Sequence, residues 1–276
     1  MRIAVICIAR LEGNYIREFI DHYRSLGFSS VIVCDNDHDD DGEDLPSIIQ
    51  DYIDDGFVIM ENWHNQVKAQ MRCYTSMYAK YKNDYDWLFF VDVDEYLELP
   101  RHKDVSEFLS DKGDFECVMV NWMCFGDNDQ VYADYTKPLQ ERFPKPLPFD
   151  IKVQYNFSEN LHIKSFIKGG LAHVYFAGNP HCCDSNLKCC NASGQQCNNC
   201  PFQPIDYSTA YIKHYITKSL QEFIENKCRR GTADRDYNSF VYTYRNRYFM
   251  YNQMTPEKQA YLDSLKGILK PSDGIS

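Results

Sequence analysis

Apolar and polar positions follow two different periods along the first hundred residues. Unbroken, mostly apolar runs of four to seven residues are typical of strands buried on both faces, and they occupy residues 2–8, 30–35, 57–60 and 87–91. Between these runs apolar residues recur at helical spacing, which predicts helices over 13–26, 45–54 and 66–82. The threefold alternation of strand and helix predicts an α/β fold with a mainly parallel sheet and helices on both faces.

After residue 97 the pattern becomes less regular. A proline-rich stretch over 136–160 predicts a surface loop, and residues 178–206 show no clear period. The remaining apolar patterns predict strands over 117–122 and 163–167, and helices at 105–109, around 220–227, around 237–248 and from 256 to about 269. The second half is therefore expected to add a few strands and a set of C-terminal helices to the sheet.

Three carboxylates directly follow the apolar run 87–91: Asp92, Asp94 and Glu95. Ligands of parallel α/β sheets bind at the carboxyl ends of the strands. Carboxylates packed in a dry site repel one another unless a cation or a base shares their field. In an extended segment Asp92 and Asp94 point to the same side, which suits an oxygen-loving cation such as Mg²⁺ or Mn²⁺. The alternative is a solvated acidic loop after a core strand.

The net charge of −11 argues against a general nucleic-acid binder but leaves room for a local cationic pocket. The notable basic cluster follows residue 217 and could be a solvated helix face or a diphosphate site; it comprises Lys218, Lys227, Arg229 and Arg230. No run approaches the ~20 apolar residues of a transmembrane helix, and the first apolar run is too short for a signal peptide. We expect a cytoplasmic protein that can work at the inner membrane face.

Half of the 12 cysteines lie within 19 residues, and the others are scattered through apolar context as small core residues. The clustered six are Cys182, Cys183, Cys189, Cys190, Cys197 and Cys200. Clustered cysteines in a cytosolic protein more often bind metal than form disulfides. A structural Zn²⁺ that pins the loop is the favoured interpretation, although disulfides or free thiols remain open.

Several short strings, taken in order, resemble GT-A glycosyltransferases, and above all the bacterial branch of family 92 and its family-2-like relatives. The strings are Arg10-Leu11-Glu12, Cys34-Asp35-Asn36, Gln66, Gln70 and Tyr74, Trp87 with Asp92-Val93-Asp94-Glu95, Trp122 with Phe125-Gly126, Lys164, His173, and the segment from Ile212 to Ser219 followed by Phe223, Lys227, Arg229, Arg230 and Gly231. Each string is weak alone; their order and spacing carry the resemblance.

The resemblance implies a single GT-A domain over residues 1–276. Its nucleotide-sugar half covers about 1–97. Its acceptor half covers about 98–235, with the cysteine-rich insert at 181–201, and C-terminal helices occupy 236–270.

The resemblance also implies metal-dependent, inverting sugar transfer from a nucleotide-diphosphate donor, with UDP-sugars favoured, to a glycan or a lipid-linked saccharide. Mn²⁺ or Mg²⁺ would be held by Asp92, Asp94 and His214. The residues expected to contact the donor are Arg10, Glu12, Asp35, Gln70, Asp92, Lys218, Lys227 and Arg230.

An inverting transfer needs a general base, normally a carboxylate, for which Asp127 and Asp129 are the candidates. Trp122 could stack on a sugar ring or simply pack in the core. His214 and Asp35 also have structural alternatives, as a core histidine and a turn-forming aspartate.

Two other functions compete with sugar transfer. In a haloacid-dehalogenase-type phosphatase a D-x-D string also follows a buried strand, but there the first Asp is a nucleophile and usually belongs to the first strand. A zinc-stapled interaction module without enzymatic activity would instead depend on the cysteines, and would tolerate alanine at Asp92 and Asp94.

Overall fold

The computed structural model describes residues 1–151, 158–230 and 248–265. The chain divides into two compact units. The first unit comprises Met1–Trp122 and Asn160–Lys213, and the second comprises Met123–Glu159 and His214–Ser276. In the described part of the chain, no helix is both long and apolar enough to cross a membrane.

One mixed sheet dominates the first unit. Its ten described strands are β1 (Ile3–Ala9), β2 (Ser30–Asp35), β3 (Val58–Asn62), β4 (Trp87–Phe90), β5 (Glu95–Glu98), β6 (Cys117–Phe125), β7 (Ile163–Lys168), β8 (Cys189–Asn191), β9 (Gln196–Cys197) and β10 (Tyr211–Tyr215). The main strand order is β3-β2-β1-β4-β7-β6-β10-β5, with β8 paired to β6 and β9 to β8. Strands β3, β2, β1 and β4 run parallel, as their long crossovers require.

The helices of the first unit connect these strands. They are α1 (Ile16–Ser25), α2 (Leu45–Ile48), α3 (Gln50–Asp54), α4 (Gln70–Tyr81) and α5 (Val105–Leu109), with a 3₁₀ turn at Glu159–Leu161. Helix α1 buries Ile16, Phe19, Ile20 and Tyr23, which recur at the spacing of one helix face. The α/β class predicted from the first hundred residues is confirmed.

Three details differ from the sequence-based prediction. The sheet is mixed, because β7 lies antiparallel to β4 and also to β6. The helix predicted over 45–54 is two short helices, since Ile49 leaves helical geometry at φ −122° and ψ 21°. The stretch predicted to be irregular contains the β8–β9 hairpin. The antiparallel pairings of β7 join residues far apart in sequence, where local periodicity carries no information.

A stack of aromatic rings forms the core between the parallel and antiparallel parts of the sheet. Phe89 of β4 and Phe166 of β7 are register partners, and their rings stack with centroids 3.8 Å apart and planes nearly parallel. Phe28 packs against both rings, and Phe108 packs against Phe166. Phe89 and Phe166 are fully buried. The apolar run 87–91 therefore pairs with the antiparallel strand β7 as well as with the parallel strand β1.

The second unit is built mainly from short helices. They are α6 (Leu139–Arg142), α7 (Leu220–Glu222), a π-helical segment at Phe223–Cys228 and α8 (Pro256–Ser264). A buried ion pair links α6 to α7, because Arg142 Nη1 donates to both carboxylate oxygens of Glu222 at 2.9 Å. Glu222 also completes a capping box with Ser219. Much of the helix predicted around 237–248, and the end of the last one, lie outside the described residues.

Replacement of Phe89 by Ala should lower the free energy of unfolding by about 3–5 kcal/mol, because it removes the centre of the buried ring stack. Chemical denaturation measures this change. Phe149 is 62% exposed, so Phe149→Ala is the matched control, with an expected change within about 0.5 kcal/mol. Equal losses in the two variants would contradict the packing argument.

Candidate active site

The acidic segment after β4 forms a tight turn and not an extended strand. The Glu95 N–H donates to the Asp92 carbonyl at 3.0 Å, and the Asp92 N–H donates to Glu95 Oε2 at 3.0 Å. The turn leads directly into β5. The extended conformation expected for the Asp92-Val93-Asp94 string is therefore wrong. Glu95 instead has a defined task, since its side chain fixes the backbone of Asp92.

Polar groups from two elements surround the Asp92 carboxylate. Gln70, the first residue of α4, donates through Nε2 to Asp92 Oδ1 at 2.6 Å. One turn further along α4, the Tyr74 hydroxyl lies 3.1 Å from the Val91 carbonyl oxygen and 3.3 Å from Asp92 Oδ1. Gln70 and Tyr74 share one face because they are four residues apart. The sequence-predicted neighbours Gln70 and Asp92 are thus brought together.

Lys164 of β7 supplies the positive charge in this cluster. Its ammonium lies 2.8 Å from Asp92 Oδ2 and 3.5 Å from Glu95 Oε2. The Lys164 and Glu95 side chains are fully buried, whereas the Asp92 side chain is 34% exposed. Sheet register explains the position of Lys164. It lies two residues from Phe166, on the same face, toward the carboxyl end of β4.

The pKa shifts agree with this geometry. Burial raises the pKa of Glu95 well above its usual range, and the nearby Lys164 offsets only part of that effect. Burial alone would lower the pKa of Lys164, but the Asp92 and Glu95 carboxylates outweigh it and the pKa is raised. Lys164 therefore remains an ammonium group, with Asp92 as its nearer partner. The family resemblance included Lys164 without a role; its place inside an apolar strand is the sequence feature that could have indicated one.

A second polar cluster lies where β1 and β2 end side by side, with Ala9 and Asp35 in register. Arg10 makes a two-pronged ion pair with Asp41, through Nε at 2.7 Å and Nη2 at 3.0 Å. The Asp35 carboxylate is 2.8 Å from Nε2 of His64. Asp37 is buried and accepts the Leu11 N–H at 2.8 Å. Arg10 and Asp35 are therefore neighbours at one rim of the sheet, with Glu12 buried just beyond β1.

The candidate base Asp127 is occupied by contacts inside the second unit. Its Oδ2 accepts the Tyr248 hydroxyl at 2.6 Å and makes an ion pair with the fully buried Lys258 of α8. Its Oδ1 accepts the Asp129 N–H at 2.9 Å. The Asp129 side chain is 83% exposed and 3.9 Å from the same ammonium. These contacts favour a structural role for Asp127 and leave Asp129 as the accessible carboxylate.

The basic candidates of the second unit differ in their surroundings. His214 on β10 and Lys218 just before α7 are buried, and Lys218 adopts a positive φ of 57°. The Lys227 ammonium donates to the Ile216 carbonyl oxygen at 2.6 Å. Arg229 is exposed and Arg230 is half-buried, at the end of the described helical segment. Lys227 thus stabilises the chain between β10 and α7.

The six clustered cysteines are free thiols, and most of them are buried. Cys182 and Cys189 belong to an apolar cluster with Cys117, Met119 and Ile163. Within the described ranges, which include all six thiols, no three His, Cys, Asp or Glu side chains are grouped so as to hold a metal. The favoured zinc interpretation therefore has no support. These thiols pack the insert against β6 as small apolar residues do.

Trp122 is likewise a packing residue. It is only 5% exposed. His162 stacks on its ring at 4.9 Å, and His181 meets it edge-on at 5.0 Å. Phe202 extends the cluster through a contact with His162 at 4.7 Å, and is itself 38% exposed. The cysteine-rich insert thus contributes the His181 ring to an aromatic cluster at the start of β7, and Phe202 directly follows the insert.

Comparisons with known proteins identify one family. The sequence profile of glycosyltransferase family 92 matches residues 3–240 of this chain. A glycosyltransferase family 92 protein of Ricinus communis is 29% identical over 96 residues, which cover 34% of this chain and 17% of that protein. The match thus spans well under a fifth of that relative's length.

Solved structures resemble the chain more distantly. S. aureus TarS aligns with a TM-score of 0.44 and 13% identity, over 100% of this chain and 50% of TarS. The mannosyltransferase PcManGT from Pyrobaculum calidifontis, solved with GDP-Man and Mn²⁺, aligns with a TM-score of 0.40 and 11% identity, over 98% of this chain and 77% of that one.

Replacement of Asp127 by Ala should destabilise the protein by about 3–5 kcal/mol, because it leaves the buried Lys258 ammonium without its nearest carboxylate. Asp129→Ala is the matched control and should change stability by no more than about 0.5 kcal/mol. Chemical denaturation compares the two. A stable, fully folded Asp127→Ala protein would contradict the structural role.

Glu43, whose carboxylate accepts the Gly13 N–H at 3.0 Å just beyond β1, makes stability depend on pH. Burial, followed by repulsion from Asp37, raises the pKa of Glu43 to about 7 from a usual value of 4.5. The folded chain therefore keeps a proton that the unfolded chain releases, so this contribution to stability falls as pH rises from about 4.5 to about 7. Denaturation at several pH values should show a flatter profile for Glu43→Gln than for wild type. The exposed control Asp114→Asn should keep the wild-type slope; an unchanged Glu43→Gln profile would refute the assignment.

Proposed function

Because the chain belongs to glycosyltransferase family 92, we propose that it transfers a sugar from a nucleotide-diphosphate donor to a saccharide acceptor. The observation that carries this proposal is the Asp92–Lys164–Glu95 cluster at the carboxyl end of β4. Ligands of α/β sheets bind at this edge, and the ends of β1 and β2 follow in the same parallel half of the sheet. A donor bound there would have its diphosphate near Asp92 and its nucleoside near Asp35 and Arg10.

The carboxylates after β4 fit a divalent cation held partly by the donor. Mg²⁺ and Mn²⁺ in phosphate-transfer and related sites usually take one or two carboxylates, with phosphate oxygens and water completing the shell. A carboxylate offers about four lone-pair sites, and the described contacts of Asp92 use at most three of them. Asp92 and Asp94 would therefore hold the ion, which would offset the charge that develops on the leaving diphosphate.

The protein's own residues orient this arrangement. Gln70 and Lys164 fix the Asp92 carboxylate, while Glu95 fixes its backbone. Such supporting contacts typically change metal affinity or activity 10- to 100-fold when lost. The family resemblance alone supports His214 as a further metal ligand, and Lys218, Lys227 and Arg230 as diphosphate contacts, because the described residues do not group His214 with Asp92 and Asp94. Lys227 would have to share its ammonium with the Ile216 carbonyl oxygen.

On the acceptor side we propose an inverting transfer with Asp129 as the general base, in preference to Asp127. Asp129 is 83% exposed, whereas Asp127 is engaged with Lys258. An acceptor of the glycan or lipid-linked saccharide class agrees with the partly exposed aromatic ring of Phe202, since such rings suit the apolar faces of sugars. UDP-sugars are the favoured donors.

Family membership gives no support to the phosphatase alternative, which would need Asp92 as a nucleophile. Asp92 is instead tied to a lysine and a glutamine at 2.8 and 2.6 Å. The zinc-stapled module also lacks its essential feature, since the described residues contain no metal-holding group of cysteines.

Calorimetric titration with UDP and GDP, with and without Mn²⁺, tests the donor site. We expect one nucleotide to bind tightly when Mn²⁺ is present. Asp94→Asn should weaken that binding at least about tenfold, which is ~1.4 kcal/mol, because it removes a charged ligand while keeping the side-chain volume.

Asp114→Asn, which removes an exposed carboxylate, is the control and should bind as wild type does. Absence of nucleotide binding under every condition, in a folded protein, would refute the proposed function.

A further inference from the structure

Lys164 is an unusual residue to find beside a cation site. It is fully buried within a β-strand, and its ammonium is 2.8 Å from the Asp92 oxygen that is least occupied by other donors. A lysine is seldom buried to this extent unless it is paired. Its pairing partner is also the carboxylate that the proposed function gives to the metal. The ammonium and a divalent cation would therefore compete for the same carboxylate.

The surrounding contacts hold Lys164 in this position. Its strand neighbours in register are Val120 on β6 and, two residues further on, the stacked pair Phe166 and Phe89. Glu95 lies at 3.5 Å on its other side and anchors the turn through the Asp92 N–H. The backbone of Lys164 is thus fixed by the sheet, and its ammonium can change partner only within the reach of its own side chain.

We propose that Lys164 is an internal counter-cation of the donor site, which makes divalent metal binding at Asp92 depend on the nucleotide diphosphate. This inference rests on the proposed function. Without nucleotide, Lys164 already neutralises Asp92, so a divalent cation meets a repulsive ammonium and few free ligands. A diphosphate adds oxygen ligands for the metal and accepts the Lys164 ammonium in place of Asp92, which leaves Asp92 Oδ2 to the metal. Metal and nucleotide then favour each other's binding by the same factor.

Lys164 is therefore a positioning residue, and it determines whether the metal binds before the donor or together with it. A site without such a lysine would gather Mn²⁺ from solution and hold it before the donor arrives. With it, the carboxylates stay ordered in the empty site, and metal enters together with the donor. The coupling between Mn²⁺ and UDP is therefore the quantity that Lys164 controls.

The test measures Mn²⁺ binding directly, by the loss of the free-ion signal in electron paramagnetic resonance, with and without UDP. Wild type should bind Mn²⁺ weakly alone and at least about tenfold more tightly with saturating UDP. In Lys164→Met, the affinity for Mn²⁺ alone should rise at least about tenfold and the factor gained from UDP should shrink accordingly.

Two further variants keep the test decisive. If Lys164→Met fails to fold, the double variant Lys164→Met/Glu95→Gln takes its place. It removes both buried charges and so leaves no buried carboxylate without a partner. Lys112→Met removes another buried lysine, whose partner Asp111 is 72% exposed, and should leave both Mn²⁺ affinities unchanged.

The outcomes separate the two proposals. If folded Lys164 variants bind Mn²⁺ alone no better than wild type, and keep the full gain from UDP, Lys164 is not the counter-cation. If no protein binds UDP under any condition, the proposed function fails and the coupling fails with it; tighter binding of Mn²⁺ alone in the variants would then show only that Lys164 repels a cation at Asp92.

Discussion

The first unit depends on one buried electrostatic arrangement, in which the Lys164 ammonium sits between Asp92 and Glu95. A fully buried lysine is strongly disfavoured without a carboxylate, and a fully buried glutamate is disfavoured without a donor or a proton. Each partner makes the other acceptable, and together they join the turn after β4 to the beginning of β7. These ion pairs thus link the antiparallel strand β7 to the carboxyl end of the parallel strand β4.

This arrangement depends on aromatic packing a few ångströms away. The stacked rings of Phe89 and Phe166 set the register of β4 against β7. A shift of one residue would turn Lys164 to the opposite face of the sheet and place Ile163 or Ser165 beside Asp92. The apolar core therefore determines which polar groups meet at the site. Gln70 and Tyr74 add a third side through the first turns of α4.

In the second unit, too, a buried lysine is paired with a carboxylate, here one of the two aspartates Asp127 and Asp129. Lys258 is fully buried and takes Asp127 as its partner, with the Tyr248 hydroxyl on the same oxygen. A carboxylate committed in this way is poorly suited to accept a proton from an acceptor hydroxyl. Asp129, two residues later, has the opposite surroundings because its side chain is exposed. Burial and pairing separate two aspartates that look equivalent along the chain.

The sequence by itself determined the α/β class, the four parallel strands and the acidic segment at the end of β4, because these follow from local periodicity and from strand order. It also singled out Gln70, Asp92 and Lys164 through a family resemblance, without their contacts. Only the tertiary structure decided that Lys164 pairs with Asp92, that Asp127 belongs to Lys258, and that the clustered cysteines pack as free thiols. Each of these depends on strand register or on contacts between residues 70 to more than 130 positions apart, which no local pattern encodes.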